Sequence, residues 1–216
     1  RSSRLTCELS RERLLSLLAR FPALSVGVVG DLALDAYWYA DMRRSTLSRE
    51  TPHFPRPILR EVYSPGAGAN VAANLAALRL GHVEVLSVLG SDWRGELLQR
   101  LLRERGIDVA PLLISDERKT TAYVKPLLMG YASQQEDARL DFENDAPLSA
   151  TLEDALVATL TRRLGELDAL LIADQMDSHG VVTPRVRDAL TGMAAQHPER
   201  PLVVDSRRAI GQFGAC

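Results

Sequence analysis

Short apolar runs alternate with helical patterns along most of the chain. Four runs rich in Val, Leu and Ile are short and continuous, at 24–31, 83–90, 169–174 and 202–205. Such runs are typical of parallel strands buried on both faces. Four other segments carry apolar residues at helical spacing, at 69–80, 93–105, 152–164 and 184–196. The alternation predicts an α/β domain built on a parallel sheet. Three of the runs end in an acidic residue, Asp31, Asp174 or Asp205. Because ligands lie at the carboxyl ends of such strands, we expect a site there.

Other segments depart from this alternation. Ser10 offers an N-cap hydroxyl to an apolar stretch that Pro22 ends, which predicts a short N-terminal packing helix. Aromatic residues, prolines and extended stretches over 37–63 predict a small excursion of edge strands. Three more strands are predicted at 109–114, 120–129 and 138–142, the last two in a hairpin that turns at 129–131. We therefore expect an N-terminal helix and arm over 1–23 and one α/β domain over 24–216, with the β excursion at about 36–64.

Composition narrows the class of protein. The 216 residues include 26 basic and 28 acidic side chains with no basic cluster, so a nucleic-acid partner is not expected. The apolar runs are far shorter than the roughly 20 residues that span a bilayer, and no secretion signal precedes them. Two cysteines near opposite ends do not indicate a disulfide framework, which favours the cytoplasm. Beginning at Arg1 and ending at Cys216 without a closing helix, the chain is interpreted as cut at both ends.

The first candidate constellation follows the first strand. Gly30 and Asp31 end that strand, and Asp35 lies four residues further on. A carboxylate there can accept hydrogen bonds from two adjacent hydroxyls of a sugar, each contributing roughly 1.5–3 kcal/mol. The alternative is that Asp31 caps a turn and that Asp35 is solvated.

The second constellation is a glycine-rich segment that opens a helix. Gly66, Gly68 and Asn70 fall within 65–74, where small residues let a ligand approach the backbone and the helix N-terminus. The segment is neither a dinucleotide fingerprint nor a P-loop. It could equally serve tight helix packing. A third segment, 134–143, mixes amides with alternating charges and by itself indicates a solvated strand edge.

The order of these pieces resembles the ribokinase-like (PfkB family) carbohydrate kinases. The matching features are Gly30 with Asp35, the irregular 37–63 insert, the Gly-Ala-Gly-Ala-Asn of 66–70, and the strand, turn and helix around 88–95. Asp-Ala-Tyr-Trp-Tyr at 35–39, Thr120-Thr121, and Gln134-Gln135 leading to 139–143 are similar to heptose-7-phosphate kinases, the kinase part of the bifunctional heptose kinase/adenylyltransferases. The resemblance covers most of 24–208.

The resemblance implies a ribokinase-like, Rossmann-type α/β sandwich with a small β-strand lid at about 36–64 and with its C-terminal part absent. It implies phosphoryl transfer from ATP, with Mg²⁺, to a hydroxyl of a small sugar or sugar phosphate. The acceptor would be a heptose 7-phosphate, with ribose, fructose derivatives or a nucleoside as alternatives. Lids of this kind often pair between subunits, so a homodimer is an expectation.

The resemblance also assigns residues to roles. Six residues would bind the substrate, namely Asp35, Gly66, Gly68, Asn70, Arg139 and Asp174. Lys125 stands where heptose kinases tend to have Arg and would bind a phosphate group. Independently of the resemblance, Arg207 follows Asp205 closely and could reach a phosphate, since Arg forks suit phosphate oxygens, with a solvated Arg207-Arg208 pair as the alternative. No metal ligand is expected, because the four histidines are scattered without ligand spacing.

Several positions depart from the family pattern. Pro65 replaces a glycine, Tyr123 and Lys125 replace Lys and Arg, and Gln175-Met176 follow Asp174 where Tyr and Lys are expected. The late Asn-x-x-Glu segment tied to magnesium and the Gly-Ala-Gly-Asp segment with the catalytic base do not occur in these 216 residues. We therefore expect no catalytic residue in this chain, and we expect the chain alone to bind sugar poorly and to phosphorylate nothing. A catalytically dead sugar-binding or interaction module is the main alternative. A dinucleotide-dependent enzyme is disfavoured because no strand is followed by G-x-G-x-x-G.

Overall fold

The computed structural model describes residues 9–214. Within them the helices are α1 (Arg11–Leu18), α2 (Gly68–Ala77), α3 (Trp93–Arg103), α4 (Ala150–Leu164) and α5 (Pro184–Gln196). The strands are β1 (Ser25–Gly30), β2 (Leu32–Asp41), β3 (Ile58–Ala67), β4 (His82–Leu86), β5 (Val88–Gly90), β6 (Leu113–Ser115), β7 (Thr121–Met129), β8 (Gln134–Glu136), β9 (Leu140–Phe142), β10 (Ala169–Asp174) and β11 (Leu202–Ser206). No helix in this part of the chain is both long and apolar enough to cross a membrane.

A four-stranded parallel sheet forms the centre of the molecule, in the order β11-β10-β1-β4. Alternate side chains of β1 point to opposite faces, so that Val29 packs with α4 and α5 while Val28 packs with α2 and α3. Each fully buried Val or Leu contributes roughly 1.5–3 kcal/mol relative to an exposed one. The predicted α/β architecture is confirmed. β1 and β4 are buried on both faces as expected, whereas β11 leaves Val203 exposed.

A second sheet stands beside the first, in the order β3-β2-β7-β8 with β9 also paired to β7. The chain passes from β1 to β2 at Gly30, whose φ of 125° brings its Cα against the carbonyl of Ala173. A Cβ there would lie 2.2 Å from that oxygen, so only glycine fits. The crossing places Asp31 between the two sheets.

The second sheet contains most of the segment expected as a lid. Residues 36–64 lie in β2, in β3 and in the connection between them. The sheet also takes strands from 121–142, and its inner end shares a core with α2 and α3 through Leu34 and Ala122. It is therefore joined to the α/β body at one end.

Three predicted elements differ in the structure. The strand expected at 109–114 is only Leu113–Ser115, because Pro111 lacks the N–H that a ladder requires. The run 83–90 forms two strands that part at Ser87, whose Oγ donates to the carbonyl oxygen of Gly30 at 2.6 Å. The hairpin partner of β7 is β8 at 134–136, which pairs with the later half of β7. The strand predicted at 138–142 is β9, which pairs with the earlier half of β7.

The N-terminal helix begins where it is predicted to begin. The Ser10 hydroxyl accepts a hydrogen bond from the Arg13 amide at 3.1 Å, and α1 follows. The helix buries none of its residues, although a packing role was expected. The expected arm before Leu9, and Cys216, lie outside the described residues.

Candidate functional site

A cavity of about 290 Å³ opens where the two sheets meet. It lies beyond the carboxyl ends of β1 and β10, where a ligand is expected in an α/β sheet. Its wall, called the Asp35 cavity below, is formed by Asp35, Ala67, Tyr123, Lys125, Arg139, Glu143, Gln175, Met176, Asp177 and Arg207. The cavity therefore joins strands of the second sheet to loops that follow strands of the first.

Asp35 on β2 presents its carboxylate to this cavity. The side chain is 26% exposed, and among the described residues no group donates a hydrogen bond to it. Gly66 lies behind it, where a Cβ would approach Asp35 Oδ2 to 2.9 Å, so a side chain at 66 would displace the carboxylate. Burial raises the pKa of Asp35, while the charges of Lys125 and Arg139 act in the opposite direction. Asp35 is thus an acceptor that receives no hydrogen bond from the described residues and is open to a ligand or to solvent.

Three cations share the wall with Asp35. Lys125 Nζ lies 4.0 Å from Asp35 Oδ1 and 3.4 Å from the Tyr37 hydroxyl. The Arg139 guanidinium lies 4.8 Å from the ring centroid of Tyr123. Arg207 donates from Nε to a side-chain oxygen of the loop after β10, at 3.3 Å. A wall with this mixture suits a ligand that has both hydroxyl and anionic groups.

Acidic groups balance these cations. Glu143 and Asp177 also line the Asp35 cavity, and Arg139 forms a two-pronged ion pair with Asp141 at 2.6 Å. Lys125 and Arg207 have no carboxylate within ion-pair distance among the described residues, apart from the 4.0 Å approach of Lys125 to Asp35. These two cations are the ones most available to an anionic ligand group.

The neighbouring Asp31 binds backbone amides of the protein. Its carboxylate is 2% exposed and accepts backbone N–H bonds from Gln175 at 2.8 Å, Met176 at 2.9 Å and Val181 at 2.6 Å. Gly180 leaves the space that the carboxylate occupies, since a Cβ there would lie 2.8 Å from Oδ1. Burial raises the pKa of Asp31, and the three N–H donors oppose that shift. This arrangement agrees with the alternative in which Asp31 caps a turn.

The glycine-rich segment serves packing at one position and the cavity at another. Gly68 is buried, its N–H donates to the Asp31 carbonyl at 2.8 Å, and a Cβ would meet that same oxygen at 2.8 Å. Ala67, which lines the Asp35 cavity, has φ 50° and ψ −131°. Such backbone strain in a residue other than glycine is most often found at functional sites. Asn70, in the first turn of α2, is exposed and lies outside the cavity wall.

Asp174 also lies outside the Asp35 cavity. Its Oδ2 accepts a hydrogen bond from the Ser206 hydroxyl at 2.6 Å. It lines a second cavity of about 300 Å³, called the Asp174 cavity below, together with Thr183, Arg187 and Arg208. Of the eight residues predicted for the site, Asp35, Lys125, Arg139 and Arg207 lie on one wall and Gly66 lies behind Asp35. Gly68 packs against the Asp31 carbonyl, and Asn70 and Asp174 lie outside that wall.

The sequence model of the pfkB family carbohydrate kinases matches residues 28–191. The chain belongs to this family. The bifunctional protein HldE of Citrifermentans bemidjiense is 33% identical over 199 residues, which cover 92% of this chain and 39% of that protein. HldE of Wolinella succinogenes is 34% identical over 188 residues, covering 86% and 37%. The chain therefore spans about two fifths of the length of these curated relatives.

The fold of this pfkB family chain is also that of known structures. Arabidopsis thaliana ribokinase, solved in complex with ribose and ATP, superposes with a TM-score of 0.56 at 16% identity, covering 85% of this chain and 54% of that one. Both the resemblance to the PfkB family and the expected ribokinase-like α/β fold are confirmed.

Some residues of the Asp35 cavity were not predicted as site residues. Tyr123 and Gln175 were noted only as departures, and Glu143 belongs to a segment interpreted as a solvated edge. Met176 and Asp177 reach the cavity because Asp31, almost 150 residues earlier in the chain, binds the amides beside them. The sequence signal that could have found them is the pair of a buried-strand Asp and a distant Gly180.

One group of side chains in this pfkB family chain could offer ligand atoms to a metal ion, but it lies away from the Asp35 cavity. Ligand atoms of His82, Glu84 and Asp108 lie within 4.8 Å of one another at the amino end of β4. Glu84 is fully buried, and both of its carboxylate oxygens already bind Arg163, with Nη2 to Oε2 at 2.5 Å. A metal ion would have to displace this guanidinium, so no metal site is assigned to the residues described.

Proposed function

We propose that the Asp35 cavity binds the acceptor of an ATP-dependent carbohydrate kinase, a heptose 7-phosphate or a related sugar phosphate. The observation that supports this most directly is that an acceptor without a hydrogen-bond donor and two available cations lie in one cavity. Asp35 receives no hydrogen bond from the described residues, while Lys125 and Arg207 stand on the same wall. A ligand with neighbouring hydroxyls at one end and a phosphate at the other satisfies both ends.

The chain's own contribution is binding and orientation. Asp35 accepts hydrogen bonds from two sugar hydroxyls, and Lys125 and Arg207 hold the phosphate with Arg139 beside it. The second sheet acts as a lid that excludes water from the bound sugar. ATP with Mg²⁺ would supply the transferred phosphoryl group in the whole protein.

We assign no catalytic base and no magnesium ligand to these 216 residues. The family segments that would provide them, Asn-x-x-Glu and Gly-Ala-Gly-Asp, do not occur in the sequence. The three-residue group with metal-ligand chemistry lies at the other end of the sheet and is already bound by Arg163. These 216 residues alone should therefore bind the sugar weakly and not phosphorylate it. A catalytically dead sugar-binding or interaction module is the second candidate.

The remaining parts of the proposal concern setting and partners. The heptose would be one that receives its new phosphate at the anomeric hydroxyl, with ribose, fructose derivatives and nucleosides as alternative acceptors. We propose a cytoplasmic protein that binds neither nucleic acid nor membrane. A homodimer would form through the second sheet.

Titration calorimetry with a panel of ligands tests the proposed substrate class. A sugar phosphate such as sedoheptulose 7-phosphate should bind at least about tenfold tighter than the unphosphorylated sugar, because its phosphate gains charge-assisted hydrogen bonds worth roughly 1.5–3 kcal/mol each. Arg207→Gln should remove most of that difference. Arg103→Gln is the matched control, since Arg103 lies on α3 outside the Asp35 cavity and donates to the Gln99 side chain of the same helix at 3.0 Å. Equal affinities for the sugar with and without phosphate would exclude the proposed class.

A further inference from the structure

The loop between β10 and α5 separates the two cavities. Residues 175–181, called the partition loop below, contribute Met176 and Asp177 to the walls of both the Asp35 cavity and the Asp174 cavity. A third, smaller cavity of about 120 Å³ is lined by the same two residues. The position of this loop therefore determines the shape of these three cavities.

The partition loop also orients two side chains that face the Asp35 cavity. Gln175 accepts a hydrogen bond from Arg207 Nε at 3.3 Å, and its amide donates to Asp205 Oδ2 at 2.9 Å. The Met176 sulfur accepts a hydrogen bond from the Tyr123 hydroxyl at 3.2 Å. If the loop moved, Arg207 and Tyr123 would lose the contacts that direct them.

Two buried charged side chains bind the partition loop. Asp31 accepts hydrogen bonds from three of its backbone amides, as described above. Arg118 is 7% exposed and donates from Nη2 to the carbonyl of His179 at 2.6 Å and from Nη1 to the carbonyl of Ala146 at 2.9 Å. Among the described residues no carboxylate forms an ion pair with Arg118. Asp31 and Arg118 carry opposite charges and interact electrostatically, but they form no direct ion pair, and each is bound instead by backbone groups of the loop. Burying charged groups without a direct ion pair is costly, which points to a role in holding this loop.

The two charges stabilise different groups of one loop. The carboxylate of Asp31 takes N–H groups at both ends of the loop, and Arg118 takes a carbonyl near its middle, at His179, whose φ is 53°. Arg118 also donates to the carbonyl of Ala146, three residues after Glu143. Glu143 and the partition loop both line the cavity of about 120 Å³. The loop is thus fixed relative to both walls.

We propose that Asp31 and Arg118 are positioning residues that clamp the partition loop, so that Arg207 and Tyr123 face the sugar phosphate in the Asp35 cavity. The ligand named here rests on the proposed function, whereas the clamp itself does not. Neither residue touches the ligand.

Hydrogen exchange of the full chain without ligand tests the clamp. Asp31→Asn, which turns one acceptor oxygen into a donor facing bound N–H groups, should speed exchange at residues 175–181 by about tenfold or more. Gly180→Ala should do the same while keeping the carboxylate, because its Cβ would press against Asp31 Oδ1. Arg118→Met should release the middle of the loop. Exchange in β1 and β4 should stay as in the parent.

Asp168→Asn provides the matched control for these variants. Its carboxylate also accepts a backbone N–H, from Ser25 at 2.8 Å, but at the opposite end of β1. This variant should leave exchange at 175–181 unchanged. Unchanged loop exchange in both Asp31→Asn and Gly180→Ala would overturn the clamp.

A double-mutant cycle tests whether the clamp acts through Arg207. Sedoheptulose 7-phosphate should bind about tenfold more weakly to Asp31→Asn and to Arg207→Gln, and the double variant should be no weaker than the weaker single variant. Additive losses would mean that Asp31 does not position Arg207, and would overturn that part of the proposal. A parent protein that binds no sugar phosphate would refute the proposed function, while the exchange measurement would still decide on the clamp.

Discussion

At the scale of single residues, Asp31 and Asp35 show how four positions change the role of a carboxylate. Asp31 stands where Gly30 turns the chain from one sheet to the other, and three backbone amides surround it. Asp35 lies one step further into β2, beside Gly66, and faces open space. From the sequence, both carboxylates could bind a ligand or be satisfied locally. The choice depends on the loop at 175–181, which is distant in sequence, and therefore could not be made from the segment 30–35.

The raised pKa of Asp35 allows a test of what its charge costs the fold. Removing this charge should stabilise the folded protein while it weakens sugar binding. Burial raises this pKa, so the protonated form is favoured in the folded protein, and the stability linked to it is lost as pH rises through the folded pKa. At pH 7 the charged Asp35 is therefore unfavourable for folding. We expect Asp35→Asn to raise the free energy of unfolding at pH 7, with a smaller gain near pH 3, in urea titrations.

Asp145→Asn is the contrasting variant for this experiment. A hydrogen bond from Lys119 lowers the pKa of Asp145, so removal of this charge should not stabilise the protein at pH 7. Equal effects of the two substitutions would show that burial of Asp35 is not the cause.

Asp92 allows a second test at this scale. Asp92 caps α3, and its carboxylate accepts hydrogen bonds from the Gly95 amide at 3.0 Å and from the Thr120 amide at 2.9 Å. Asp92→Ala should reduce the free energy of unfolding by about 1–2 kcal/mol, and Ser91→Ala by less than about 0.5 kcal/mol. Chemical denaturation at pH 7 measures both.

The contribution of Asp92 should also depend on pH in a defined direction. Burial alone would raise its pKa, but the amides of Thr120 and Gly95 and the charge of Arg94 outweigh burial and lower it. Its stabilisation is therefore present above the unfolded pKa of about 3.9 and lost as pH falls through the lower folded value. A difference between parent and Asp92→Asn that stays constant from pH 7 to pH 2 would contradict this assignment.

At the scale of elements, periodicity was sufficient where a helix or strand is amphipathic or continuous. The helix predicted at 184–196 is α5, begun by Thr183 with Pro184 in its first turn, and the strand predicted at 169–174 is β10. Periodicity failed where tertiary contacts interrupt a continuous run, as at Ser87 between β4 and β5. It also did not reveal which strands form the second sheet, since β2 and β7 lie some 80 residues apart and pair in parallel.

One ion pair joins two elements and can be tested separately from the cavity. Arg163 on α4 binds the fully buried Glu84 of β4, and this hydrogen bonding raises the pKa of Arg163. Arg163→Ala leaves a buried carboxylate without its charged partner, which should reduce the free energy of unfolding by about 3–5 kcal/mol. Arg162→Ala, an exposed neighbour on the same helix, should change it by less than about 0.5 kcal/mol. A loss below about 1 kcal/mol for Arg163→Ala would show that the pair does not hold α4 to the sheet.

At the scale of the whole molecule, β11 is an edge strand of the central sheet that residues 9–214 form, with apolar side chains beside it. β11 pairs with β10 on one side, and beside it the exposed Val203 and Ile210 border a cavity of about 350 Å³ with Leu202 and Phe213. Unpaired strand edges with apolar surface promote association between molecules. We expect the chain to self-associate at micromolar concentrations in light scattering.

Two charged substitutions locate the contact. Val203→Lys should reduce association if the molecules meet at β11. Val62→Lys, at a partly exposed position on β3, should reduce it instead if they meet through the second sheet, as the proposed homodimer requires. A monodisperse monomer in the parent protein would contradict both routes.

The account as a whole depends on Asp35 as the residue that binds the sugar. Titration calorimetry of the parent, Asp35→Ala and Asp137→Ala with sedoheptulose 7-phosphate measures this directly. Asp137 is also a carboxylate near the second sheet, but it pairs with Arg56 and lies outside the Asp35 cavity. We expect Asp35→Ala to lose at least about 1.5–3 kcal/mol of binding free energy for each hydroxyl bond removed, and Asp137→Ala to bind as the parent does. If Asp35→Ala binds the sugar phosphate within about twofold of the parent, a loss of less than roughly 0.4 kcal/mol, the carboxylate is only solvated and the proposed site is wrong.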